Sequence, residues 1–388
     1  MSLLAMCRTA LRMRNRFSWG LLLCVASSAV LALPALHRLP EIYRTEDGIQ
    51  FQVEVVAEGL RVPWDMEFTQ AGQLIITQRQ GYLLLLDATG GLRELDQLPQ
   101  VLAKGESGLM GMAIHAASRD QQYIYLCYSV QKGLFGTRNK LTRSMLGRFG
   151  LLQEKELLGW PGDRFHNGCQ VAIGPDRKLY VSTGDATEGE FAQRQDSLLG
   201  KLLRLNLDGS IPADNPWPGS PVYTLGHRNP QGLDWHPRDD RLYSVEHGPS
   251  GFDGPRGGDE LNRIEAGNNY GWPPASDNKT ESGGVAPLLI WEQSIAPAGM
   301  VVYRGNQFPQ FKNNLFITSL VGEALIRVVV DQRGDPVARE SLLKGTFGRL
   351  RAITQGSDGY LYFATSNHDG RGNPEGRDDR LLRLVPPG

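Results

Sequence analysis

The chain has 388 residues, 21% charged, 40% hydrophobic and 8% aromatic, a composition that supports a substantial core and excludes disorder as its main state. Its 41 Lys and Arg against 42 Asp and Glu leave a formal charge of -1, so no global basic field exists to attract a nucleic-acid backbone. Its 46 glycines are about 12% of the chain against roughly 7% in average proteins, an excess that implies many tight turns and hence many short strands.

The first segment reads as a leader. Arg8, Arg12, Arg14 and Arg16 precede an uncharged stretch from Trp19 to Leu33, which Pro34 ends. That is the layout of a secretory signal peptide. The apolar run is shorter than the ~20 residues a membrane-spanning helix needs, and Val30 and Ala32 place small residues ahead of a cleavage point. Residues 1–32 are therefore expected to be a signal peptide that exports the chain to the periplasm or beyond, with an uncleaved amino-terminal anchor as the alternative. Cleavage would leave 37 basic against 42 acidic residues, a charge of about -5. Residues 33–49 read as a linker. Cys7 and Cys24 belong to the leader, which leaves Cys127 and Cys169 in an oxidising setting. Neither lies in a metal-spaced motif, and two buried thiols are expected, with a single pairing as the alternative.

From residue 50 onward helical periodicity is scarce, and short apolar runs bounded by glycine, aspartate and asparagine dominate. One unit recurs six times: a polar turn, a strand of the type Leu-Tyr-Val-x-Thr, a loop, and a second strand resembling Leu-x-Arg-Leu. Its anchors are Leu74, Ile124, Leu179, Leu242, Leu315 and Leu361. The second strands include Leu83 to Asp87, Gly147 to Phe149, Leu202 to Leu205, Leu261 to Ile264, Leu325 to Val328 and Leu381 to Leu384. Such a repeat predicts an all-β fold over 50–388, a six-bladed β-propeller of four-stranded antiparallel blades. The alternating Phe51 to Val56 is expected to complete the blade begun by the carboxy-terminal strands, which removes an exposed sheet edge. A large β-sandwich, the competing architecture, accounts for neither the repeat nor its period.

A propeller gathers its loops around one mouth, so function must be argued from those loops. Polar and glycine-rich chemistry lies beside strands at 165–170, 226–232, 246–271 and 348–351, and the glycine-rich stretch from Phe252 to Gly258 reads as a loop tip. His227, His236 and His247 follow no zinc-ligand spacing. The segments GKLLRLNLDGSIPADNP at 200–216, GHRNPQG at 226–232, EHGP at 246–249 and DELNRIEAGNNYGWP at 259–273 together resemble the soluble quinoprotein glucose dehydrogenase and aldose sugar dehydrogenase family, also called glucose/sorbosone dehydrogenases. The resemblance runs from about Gly59 to Leu384. It implies a six-bladed propeller that binds pyrroloquinoline quinone (PQQ) and calcium and oxidises the anomeric carbon of aldoses to lactones, with an external electron acceptor that the sequence does not name.

On that resemblance His166 is the catalytic base, a role that suits an imidazole that is mostly neutral at neutral pH, and Asp185 is the carboxylate that assists it. Arg228 and Asn229 face the cofactor, where a guanidinium stabilises a developing oxyanion. Arg349 and Arg351, two apart on an extended segment, grip the cofactor carboxylates. Gly248 and Pro249 offer carbonyl oxygens to a cofactor-bound calcium, and Glu260 and Tyr270 to a structural one.

Three positions depart from the family pattern beside this site. Glu106 stands where the family has glutamine, Val321 where it has lysine, and Gly168-Cys169-Gln170 replaces a small-Gly-Arg sequence. Against a tri-acid such as PQQ, the first two move the local charge by up to two units in the unfavourable direction. The expected function is PQQ-dependent aldose oxidation, and the alternative is a non-catalytic propeller that has lost PQQ and binds carbohydrate or protein.

Overall fold

A computed structural model describes residues 37–87, 89–118, 121–273 and 284–388. The expected signal peptide lies outside the described residues, which contain no helix long and apolar enough to cross a membrane.

Six antiparallel sheets form the ring. The innermost strands of blades 1 to 6 are, in order, Pro63–Phe68, Leu109–Ala116, Gly168–Ile173, Pro230–Trp235, Pro297–Val302 and Leu350–Gln355. Each of these lies beside the next, and the last lies beside the first, which closes a six-bladed propeller. All six anchors of the repeat fall in the second strand of a blade: Leu74–Gln78, Gln122–Lys132, Leu179–Thr183, Leu242–Glu246, Leu315–Ser319 and Leu361–Thr365. These strands are sandwiched between neighbouring blades and so are buried on both faces, which is why they read as apolar runs rather than as a half-polar alternation. In blade 2 the expected strand Gly147 to Phe149 is instead the turn between two long strands, Gly136–Gly147 and Gly150–Gly162.

Blade 6 is completed as expected by the amino-terminal strand. Gln50–Ala57 pairs with Leu381–Val385, placing Val55 opposite Leu382 and Val53 opposite Leu384. His37–Arg38 and Tyr43–Arg44 pair with the other side of that strand, so part of the segment read as a linker covers an edge that would otherwise be open.

Each innermost strand carries a register shift at its first pairs, next to the face where the site is built. Glycine at three of these shifts lets consecutive blades touch. A Cβ on Gly111 would lie 2.2 Å from the Cys169 carbonyl oxygen, one on Gly232 2.6 Å from that of Ala298, and one on Gly299 2.9 Å from that of Arg351.

The expectation of two free thiols is overturned. Cys127 and Cys169 form a disulfide with their Cα atoms 5.5 Å apart. They belong to strands of adjacent blades that face each other across one apolar cluster, so blade stacking brings together residues 42 positions apart.

Candidate active site

The residues that open the first strands and follow the second strands share one face of the ring, and most of the sequence-derived site residues meet there. His166 precedes its strand with φ at +52°, and Asp185 follows Leu179–Thr183. A Cβ on Gly184 would fall 1.9 Å from the His166 carbonyl oxygen, so only glycine allows the two loops to approach this closely. The His166 Nδ1 lies 2.8 Å from Asp185 Oδ1, and the Trp272 indole Nε1–H donates to Asp185 Oδ2 at 2.7 Å. Both members of the His–Asp pair are buried.

On the other side of the ring, Arg228 Nη2 lies 3.0 Å from His166 Nε2. Only a neutral imidazole carrying its proton on Nδ1 can donate to Asp185 and accept from Arg228 together. The remaining donors of Arg228 reach Asp253 Oδ2 at 2.7 Å, Ser250 Oγ at 3.0 Å and the His247 carbonyl at 3.3 Å, and its guanidinium lies over Trp272. The glycine-rich segment read as a loop tip is therefore folded over the site, and the Phe252 ring stacks on His166 with centroids 5.8 Å apart. Asn229 Oδ1 accepts from the Gly168 amide and from Gln231, while its Nδ2 is buried without a partner.

Arg349 and Arg351 go to different partners because the strand is irregular between Leu350 and Ile353. Arg349 binds Asp369 at 2.7 Å and the Leu320 carbonyl at 3.0 Å. Arg351 donates to Gln231 at 2.9 Å and covers the Trp64 ring, and its Nε is buried with no partner. Burial lowers Arg351 to about 10. Together Arg351 Nε and Asn229 Nδ2 are two buried donors without acceptors, and they suit an acidic, oxygen-bearing ligand such as PQQ. A small cavity is lined by residues of five innermost strands, among them Trp64, Asp65, Gln170, Gln231 and Arg351.

Glu106 accepts from the His166 amide at 3.2 Å and pairs with Arg371 at 3.0 Å. Val321 is exposed. At Gly248 the amide donates to Asp259, and a Cβ there would meet the Gly257 and Gly258 carbonyl oxygens at 2.3 and 2.4 Å. The Gly248 turn thus packs directly on the Gly257–Gly258 backbone, and the Pro249 carbonyl accepts from Gly257 N at 3.2 Å. Glu260 shares the Asn262 Nδ2 donor with Glu246, and the buried Asn262 Oδ1 has no hydrogen-bond partner. The Tyr270 hydroxyl is engaged by Arg263 and Glu265, and its ring stacks on His227. Among the described residues no group of three or more His, Cys, Asp or Glu is arranged to hold a metal.

Sequence reasoning missed Trp272, Phe252, Asp253 and Arg371. Trp272 lay within a segment already singled out, but nothing in its spacing pointed to Asp185, and Arg371 lies in a polar stretch with no local signal.

Comparison with known proteins gives this geometry its context. The family model of Glucose / Sorbosone dehydrogenase matches residues 60–383. The chain is 31% identical to the aldose sugar dehydrogenase of Escherichia coli, over 92% of this chain and 97% of that protein. It is similar to the structure of an oxidoreductase of Thermus thermophilus described as a glucose dehydrogenase, with 40% identity, a TM-score of 0.78, and coverage of 86% of this chain and 100% of that one. It is also similar to the PQQ-bound aldose sugar dehydrogenase of Streptomyces coelicolor, with 32% identity, a TM-score of 0.76, and coverage of 91% and 99%. With a buried His–Asp pair facing an arginine at the mouth of a six-bladed ring, and a family match across nearly the whole propeller, the chain belongs to the glucose/sorbosone dehydrogenase family and is an oxidoreductase acting on the CH–OH groups of sugars.

Proposed function

We propose that the protein oxidises the anomeric carbon of aldoses to lactones in the periplasm, with PQQ as hydride acceptor and calcium beside it. The observation that carries this reading is the His166–Asp185 pair, whose free imidazole nitrogen points at Arg228 in the middle of the mouth. Bound PQQ supplies a two-electron acceptor for the hydride that leaves the anomeric carbon. His166 Nε2 takes the proton of the anomeric hydroxyl, so the Arg228 contact to Nε2 must give way to that hydroxyl. Asp185 keeps the imidazole in the required tautomer and stabilises the imidazolium that forms. Arg228 and Asn229 would hold a quinone oxygen, and Arg349 and Arg351 the quinone carboxylates. The Gly248 and Pro249 carbonyls would hold calcium at the cofactor, and Glu260 and the Tyr270 carbonyl a structural ion. The four leader arginines and the apolar run after them support export.

The test is dye-linked oxidation of an aldose panel by purified protein reconstituted with PQQ and calcium, with lactone identified as product. Turnover that His166→Ala abolishes while quinone binding persists is expected. Failure of the reconstituted protein to oxidise any aldose, under conditions where a related dehydrogenase does, overturns the reading.

A further inference from the structure

Glu106 and Arg371 lie 265 residues apart in sequence and meet at 3.0 Å beside the base. Glu106 belongs to the approach to blade 2 and also accepts from the His166 amide, while Arg371 belongs to a loop of blade 6. The Arg371 side chain is 56% exposed and that of Glu106 28%, so the pair sits at the rim of the mouth rather than within the core. Arg371 also covers the Phe165 ring at 5.8 Å, next to the base. Its loop binds two further guanidiniums, since Asp369 pairs with Arg349 and the Asp369 carbonyl accepts from Arg79. Burial acts to raise the Glu106 carboxyl, but the Arg371 guanidinium first, and the hydrogen bond from the His166 amide, act to hold the group below its usual value. The rim therefore presents a carboxylate among arginines, and Val321, which follows the Leu320 carbonyl bound by Arg349, contributes no charge.

Resting on the quinone reading above, we propose that Arg371 is a cofactor-binding residue: its guanidinium, parked on Glu106 in this structure, passes to a carboxylate of the entering quinone and supplies the cation that Val321 does not. The exchange is feasible because a partly exposed ion pair contributes little to stability, whereas a guanidinium meeting a ligand carboxylate at a partly enclosed site forms a stronger, charge-assisted pair. Glu106 is not left isolated, since Arg79 and Arg351 remain close enough to feel its charge.

The experiment is titration of the calcium-loaded full-length protein with PQQ, followed by quenching of tryptophan fluorescence and run as a double-mutant cycle. Arg371→Gln is expected to weaken binding roughly 10- to 100-fold, the loss of a hydrogen bond to a charged group, and Arg371→Lys to restore part of it. Glu106→Gln is expected to strengthen binding. The decisive comparison is between Glu106→Gln and Glu106→Gln/Arg371→Gln. If Arg371 binds the quinone, the second change still weakens binding; if it only neutralises Glu106, the two bind equally and the inference fails. Circular dichroism and melting temperature establish that each variant is folded. Quinone binding by the parent that is indifferent to Arg371→Gln overturns this inference alone, and no quinone binding by the parent overturns the proposed function with it.

Discussion

His166 Nδ1 stands 2.8 Å from Asp185 Oδ1 with both side chains buried, so the proton between them is confined and Nε2 is the nitrogen left for chemistry. Asp185→Asn replaces the acceptor by an amide that can donate, which favours the opposite tautomer. A loss of ~10²–10⁴ in kcat is expected, with quinone affinity unchanged. Steady-state kinetics beside a fluorescence titration check both halves.

Trp272 fixes the other Asp185 oxygen from a loop that comes from a different blade. Trp272→Phe keeps a ring beneath Arg228 but removes the N–H. The expected result is a fall in kcat of roughly tenfold, matching one lost hydrogen bond to a charged group, with KM held within about twofold. A rise in KM with unchanged kcat would assign Trp272 to substrate binding instead.

Asp253 occupies the Arg228 Nε in this structure. A quinone oxygen that engages the same guanidinium competes with it, so Asp253→Asn is expected to tighten PQQ binding several-fold, while Phe252→Ala is expected to leave binding unchanged and expose the His166 ring. A merely structural Asp253 would give weaker binding on replacement.

The blade count was legible in the sequence because Leu74, Leu179, Leu242, Leu315 and Leu361 each open a strand buried on both faces, and such strands leave a strong apolar trace. His166, Asp185 and Arg228 were legible only through the resemblance; the structure adds that they touch. The meetings of Glu106 with Arg371, of Trp272 with Asp185 and of Cys127 with Cys169 were not legible, because each joins loops or strands of different blades, and their closeness is set by ring closure rather than by local pattern.

The Cys127–Cys169 bridge ends three residues from the base. By loop-closure entropy over its 42-residue separation, its removal should destabilise the protein by roughly 4 kcal/mol. The Cys127→Ser/Cys169→Ser variant is expected to melt several degrees lower and to lose turnover as the His166 loop loosens. An unchanged melting temperature in calorimetry would show that blade stacking alone holds this seam.

Glu67 shares one face of its strand with Asp65, and burial, then the charges of Asp65 and Asp234, push it up to about 8. A carboxyl raised in the folded state binds its proton more tightly there than when unfolded. Its contribution is fully present below the unfolded value of 4.5 and is lost as pH rises through about 8. Between pH 5 and 8 the parent's melting temperature should therefore fall relative to that of Glu67→Gln. Parallel curves for the two proteins would contradict a Glu67 carboxyl raised in the folded state.

Blades 1 to 5 are each built from four consecutive strands, but the sixth joins Gln50–Ala57 to Leu381–Val385, and Arg383 reaches Glu54 across 329 residues. The last strand of the ring to be made is thus the one that the earliest blade strand must wait for. During synthesis this early strand is a free edge until nearly the whole propeller has been made, and the loop-closure entropy of the ring falls on a single late event. A chain interrupted before Leu381 has five whole blades and a sixth whose two inner strands lack the strand that joins them to Gln50–Ala57.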